Sequence, residues 1–217
     1  MANFEQAVSR LFDFEGGYQN LKNDSGNYNS LGQLVGTNMG IAAPTLEAYL
    51  GYPPTVADMK AITKATARAI YFESYWQPLR CSEIDNQLVA EIFFDAAAQY
   101  GPGTSIRMMQ KTLGNVAVDS IMGSQTLSAI NAAPQKALFL AFKEARADKY
   151  RAIVANNPSQ AGFLQGWLNR LKKFVWTGGD DLPQNPPFAQ NAGGSWLLLL
   201  FTISLLASNT AKWHSKI

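Results

Sequence analysis

Apolar residues recur along most of this chain with a helical period. Phe4, Ala7, Val8, Leu11 and Phe12 stand at the i, i+3, i+4, i+7, i+8 spacing of an amphipathic helix, and Gly16-Gly17 stop that helix directly after Glu15. From Tyr18 to Thr37 the period dissolves among Asn, Gly, Ser and Asp, which predicts a loop or a short hairpin. Thr45 is placed to cap a short helix to Leu50, Pro53-Pro54 interrupt, and Thr63 is placed to cap a longer helix reaching Trp76 before Pro78. The stretch Ile84 to Tyr100 sets Leu88, Ile92, Phe93 and Ala96 on one side and closes at Gly101-Pro102, as a central buried helix would. Further helices are expected at Thr104–Leu113, Gln125–Ala132, Gln135–Ala155 and Ser159–Val175. Strand-like alternation is almost absent, so the predicted fold class is mainly α.

Beyond Trp176 the pattern changes. Residues 177–194 combine four glycines with three prolines and read as a flexible linker. Trp196 to Ala207 is nearly all apolar, and the uncharged window Ala192–Ala211 would span about 30 Å as a helix. This predicts a C-terminal transmembrane helix over 195–212, bracketed by Trp196 and Trp213, with a lipid membrane as partner and a membrane-anchored location. A short helix folded back on the protein is the alternative. Met1 to Arg10 lacks the basic-then-apolar pattern of a secretory signal, so no cleavable leader is expected.

Charge and residue types narrow the chemistry. A formal net charge of +2 argues against nucleic acid as a partner, yet the charges are uneven. Residues 1–133 carry eight Lys/Arg against twelve Asp/Glu, whereas residues 134–176 carry eight against two. The second segment could face anionic wall polymers, or simply present a solvated lysine face. A single cysteine, Cys81, allows no internal disulfide and is read as structural. A single histidine, His214, leaves no site of several His and Cys ligands and no Ser-His-Asp or Cys-His pair in the body of the chain. No metal and no cofactor is expected, and chemistry falls to carboxylates, hydroxyls and amides.

Glu15 suits proton donation to a glycosidic oxygen. It follows Phe12 and Phe14, where desolvation would raise its pKa, and it precedes two glycines that leave room for a sugar ring. On spacing alone, a solvated helix-end glutamate explains it as well. The series Glu15-Gly16-Gly17-Tyr18, Asp24, Gly26, Thr37 and Gly40-Ile41 resembles the opening signature of glycoside hydrolase family 108, the phage and bacterial N-acetylmuramidases. Ile70-Tyr71, Tyr75-Trp76, Phe94-Asp95, Gln110, Asp119, Gly123 and Thr126 continue the likeness. Phe163, Gly166-Trp167 and Arg170 resemble the predicted peptidoglycan domain that commonly follows. Two departures stand out: Asn27 to Gly36 lengthens the loop before Thr37, and Ser120 stands where a Gly often follows the Asp of the second part.

The resemblance implies a lysozyme-like helical fold, with a muramidase part over 1–98 and a peptidoglycan-binding part over 99–176 in one compact body. It implies a muramidase or endolysin, probing bacterial peptidoglycan as its partner, with Glu15 as catalytic acid and a phage role in lysis or wall penetration. Asp24 could orient water or stabilise positive charge, and an Asx-turn role is the alternative. Thr37 could position that water, or be a turn hydroxyl. Tyr18, Tyr75 and Trp76 could stack on sugar faces, with core packing as the alternative; Tyr18, after a glycine pair, is expected to be exposed, and Tyr71 and Phe72 are expected in the core. Asp95 is a possible buried acid or a helix-packing group, and Trp167 is read as a packing anchor with Arg170 on a possible wall-binding face. The competing reading is a catalytically silent wall-binding or virion structural protein of the same fold.

Overall fold

The computed structural model describes residues 1–12 and 16–178. Among these the elements are helical: α1 (Phe4–Phe12), α2 (Ala43–Leu50), α3 (Val56–Lys60), α4 (Lys64–Tyr71), α5 (Gln87–Tyr100), α6 (Pro102–Leu113), α7 (Ser124–Ala132), α8 (Gln135–Asn156) and α9 (Ala161–Lys172). A π-helical turn, Phe72–Trp76, extends α4.

Local chemistry sets these boundaries. The Thr63 hydroxyl accepts the Thr66 N–H at 3.1 Å and starts α4, as expected. Thr55 and Asp58 form a capping box that makes α3 a helix, although the Pro53-Pro54 break had suggested only an interruption. α2 begins two residues before Thr45, because Pro44 fits the first helical turn; Thr45 instead turns its hydroxyl to Tyr75 Oη at 3.0 Å. Pro102 likewise starts α6 ahead of Thr104.

α5 is the axis of the body. Its residues Val89 to Ala97 are all buried, two of them charged, and each charge is paired. Glu91 faces Arg10 of α1 at 3.0 Å, and Asp95 takes Arg146 of α8 at 2.6 Å and Arg170 of α9 at 2.7 Å. Around α5 one hydrophobic core runs from Ala2 to Phe174 and joins both halves of the chain. Phe4, Trp76 and Phe94 meet on one side of it, and Phe93 packs edge-on to Phe142, 5.8 Å between centroids, on the other. A smaller cluster gathers Ala147, Tyr150 and Leu171.

The loop between α1 and α2 forms no strand among the described residues. Isolated antiparallel bridges close it instead, at Gln19–Thr37, Tyr28–Leu34 and Asn38–Ile41. The long Asn27–Gly36 stretch is folded onto the body: Asn29 donates to the Pro54 carbonyl at 3.0 Å while its own side-chain oxygen accepts from Leu31 N and Gln33 N. Ser120 takes the left-handed conformation, φ +66°, that glycine favours, and its N–H is held by Gln110 Oε1 at 3.0 Å.

The expected C-terminal transmembrane helix needs correction. No helix among the described residues is long and apolar enough to cross a membrane, and 195–212, where it was placed, lies outside them together with the linker.

Candidate active site

Glu15 and its neighbours Asp13 and Phe14 lie outside the described residues, but the chain immediately before and after them is described. α1 delivers the chain as far as Phe12, whose ring packs edge-on to Tyr71, 5.9 Å between centroids. The chain then re-enters at Gly16-Gly17, where both glycines are exposed and a Cβ on either would meet nothing within 4 Å. Open space therefore follows Glu15 directly.

Just beyond, two of the three expected catalytic residues come together through two amides. Asn27 is fully buried. Its Nδ2 donates to Gln19 Oε1 and to the Leu21 carbonyl, both at 2.9 Å, and its Oδ1 accepts from Gln19 Nε2 at 3.0 Å and from Thr37 Oγ1 at 2.6 Å. All four hydrogen-bonding sites of this amide are used. Gln19 Nε2 also reaches Asp24 Oδ2 at 3.3 Å, while Asp24 Oδ1 accepts the Gly26 N–H at 2.9 Å and caps a short 3-10 turn. Backbone bonds between Gln19 and Thr37, 2.9 and 2.8 Å, lock the frame.

This frame fixes what each group can offer. The Thr37 hydroxyl spends its proton on Asn27, so its oxygen is left as an acceptor. Asp24 has one oxygen committed to a backbone N–H and a second held only by a long contact, which leaves acceptor capacity at a half-buried carboxylate. Each is an acceptor of the kind that can orient a water molecule by its hydrogens. Asp24 thus takes the Asx-turn geometry and keeps acceptor capacity beside it. Gln19 and Asn27, which hold the frame, escaped the sequence reading because a polar residue in a polar loop carries no periodic signal of burial.

The aromatic residues sort differently from expectation. Tyr18 is half-buried, not exposed: its hydroxyl donates to the Val35 carbonyl at 3.0 Å, Lys60 Nζ lies 5.0 Å from its ring centroid, and Gly36 presses against the ring. Gly36, at φ +95°, has no room for a side chain, since a Cβ there would stand 2.6 Å from Gln19 O and 2.7 Å from a Tyr18 ring carbon. Trp76 is wholly buried and donates from its indole to Ser82 Oγ at 2.7 Å, so its face is not open to a sugar. The π turn, with its wider i to i+5 closure, carries Trp76, which packs against Phe4 and Phe94 in the core. Phe72 shifts the other way and is 38% exposed. Tyr75 keeps a half-buried position between Thr45 and Tyr71.

The second half contains a different polar cluster. Burial opposes the Asp95 charge, but Arg146 and Arg170 outweigh it and hold its carboxyl below the usual range. Asp95 is thus held toward its anionic form, tying three helices, and Arg170 is spent on it rather than on a wall-binding face. Trp167 stacks on Tyr150, 5.3 Å between centroids, and carries Phe163 on it in turn. Gln110, buried, bonds Asp119 Oδ1 at 2.7 Å and Thr126 Oγ1 at 3.2 Å, joining the residues of the second motif. A cavity of about 220 Å³ opens there, lined by Asp119, Gly123 and Ser124 among others, well apart in the chain from Thr37. No group of three or more possible metal ligands occurs among the described residues.

Residues 8–101 match the family described as glycosyl hydrolase 108, and residues 104–172 match a predicted peptidoglycan domain. Among solved structures the chain is similar to SagA of Brucella abortus, at 30% identity and a TM-score of 0.67, over 79% of this chain and 90% of that one. No curated protein matches.

Proposed function

Because the chain belongs to the glycosyl hydrolase 108 family and is a glycoside hydrolase acting on peptidoglycan, we propose that it cuts the β-1,4 bond between N-acetylmuramic acid and N-acetylglucosamine with Glu15 as general acid. Glu15 protonates the departing bridge oxygen as positive charge grows on the sugar ring. Asp24 stabilises that charge and, with Thr37, holds the water that completes hydrolysis. Tyr75 lines the cleft. The supporting observation is the Gln19–Asp24–Asn27–Thr37 frame, set immediately after the open Gly16-Gly17 step that follows Glu15. The likeness of the Glu15–Tyr18 motif to phage muramidases supports a role in lysis or wall penetration.

The test uses the full-length chain and Glu15→Gln on purified wall, with fragments identified by mass. Wild type should release products with muramic acid at the reducing end, and Glu15→Gln should lose about 10³-fold or more in rate, as removal of a general acid at the reacting bond entails. Equal release by both proteins would remove Glu15 from the mechanism, and reducing ends on glucosamine would replace the bond assigned.

A further inference from the structure

Three cations occur four residues apart on α3 and α4, and each sits over an aromatic ring beside α1. Lys60 Nζ lies 5.0 Å from the Tyr18 centroid, Lys64 Nζ 5.2 Å from that of Phe12, and the Arg68 guanidinium 5.8 Å from that of Phe4. Arg68 is neutralised by Glu5. Lys60 and Lys64 are exposed and make no ion pair among the described residues. Their rings mark their place along the chain: Phe12 is three residues before Glu15 and Tyr18 three residues after it. The basic second half, by contrast, spends much of its charge internally. Arg146 and Arg170 serve Asp95, Arg151 serves Glu144 and Asp148, and Lys143 donates to the Phe174 carbonyl at 2.6 Å.

We propose that Lys60 and Lys64 form an anion site flanking the Glu15 segment that recognises the carboxylates carried by the muramyl residue, and so select charged wall glycan over neutral glycan. The proposal rests on the muramidase reading above. In intact wall the lactyl carboxyl is amide-linked to the stem peptide, so the free carboxylates are those of the peptide; strands stripped of peptide expose the lactyl carboxylate, which presents the same charge to the two ammonium groups. The ring faces steer each lysine and keep its stem ordered, so the ammonium groups are held in place before the glycan arrives.

The test is pelleting of the full-length chain with insoluble wall freed of accessory polymers, either unmodified or with its carboxylates converted to neutral amides by carbodiimide. Wild type should need about tenfold more of the amidated wall for half-maximal binding, the effect of two solvent-facing ion pairs. In the Lys60→Gln/Lys64→Gln protein the two walls should bind alike, and Lys60→Arg/Lys64→Arg should restore the difference because the charge is kept. Amidase-stripped strands, which expose the freed lactyl carboxylate in place of the peptide, distinguish the two: competition by these soluble strands that is lost when they are amidated shows lactyl recognition, and no competition assigns the site to the stem peptide. Equal discrimination by wild type and the Gln pair would overturn the proposal. Because binding is read without turnover, this outcome is separate from a failure of Glu15→Gln to lose activity.

Discussion

Replacing Asp95 by alanine should destabilise the protein more than replacing Arg170, its partner nearer the surface. The carboxylate is 3% exposed and receives Arg146 Nη2 at 2.6 Å and Arg170 Nη2 at 2.7 Å. Without it Arg146, fully buried, keeps its charge with only neutral acceptors, the Ile92 carbonyl at 3.1 Å and Gln99 Oε1 at 2.7 Å. Removing one partner of a buried pair costs about 3–5 kcal/mol, and these residual acceptors put Asp95→Ala near the lower end, about 3 kcal/mol. For a chain of this size that is a fall in Tm of roughly 6–12 °C. Arg170 is 15% exposed, and its loss leaves Asp95 still paired with Arg146, so Arg170→Ala should cost only about 1–2 kcal/mol. Circular dichroism melts of wild type and both variants at pH 7 measure the two costs. The pH dependence has a definite sign. The folded carboxyl is depressed, so its contribution is present above the unfolded value of about 3.9 and is lost as pH falls through the folded one. The gap between wild type and Asp95→Ala should therefore narrow below about pH 4. An Asp95→Ala cost under about 1 kcal/mol, or one smaller than that of Arg170→Ala, would refute the assignment of Asp95 as the tie between α5, α8 and α9.

Gly36→Ala should lower stability by about 2–3 kcal/mol and reduce wall digestion, because the added Cβ collides with Gln19 O and the Tyr18 ring at a left-handed backbone position; an unchanged urea midpoint would contradict that crowding. Cys81 is fully buried and burial pushes its thiol well up, so the folded chain should leave Ellman's reagent unreacted at pH 8 and release one equivalent once denatured. Rapid native reaction would show that the residue is not enclosed.

The helical periods and the cap at Thr63 follow from residues close together in sequence, so α4 starts and α5 ends where the pattern puts them, while the Asn86 cap sets the start of α5 at Gln87 rather than Ile84. Trp76 departs from that pattern, since a 3.6-residue period continued past Tyr71 does not foresee the π turn that carries it. α3 was signalled by the Thr55–Asp58 spacing, which the neighbouring prolines obscured. Asp24 and Thr37 were readable as site candidates because the motif names them, but their union depends on Gln19 and Asn27, whose burial arises only when residues 19 and 37 pair across the loop. Arg170 shows the same limit in the other direction: its partner is 75 positions away in sequence. The expected membrane-spanning segment, 195–212, lies outside the described residues, and no helix among these is long and apolar enough to cross a membrane.

The core that runs from Ala2 to Phe174 has a consequence for rebuilding such chains. A chimaera spliced at Gly101 would strip Phe93 of Phe142 and strand Arg146 from its acid, so the two matched stretches cannot be traded like beads on a string. A seam of this kind makes them one heritable unit, in which a change on either bank of the joint calls for its answer on the other.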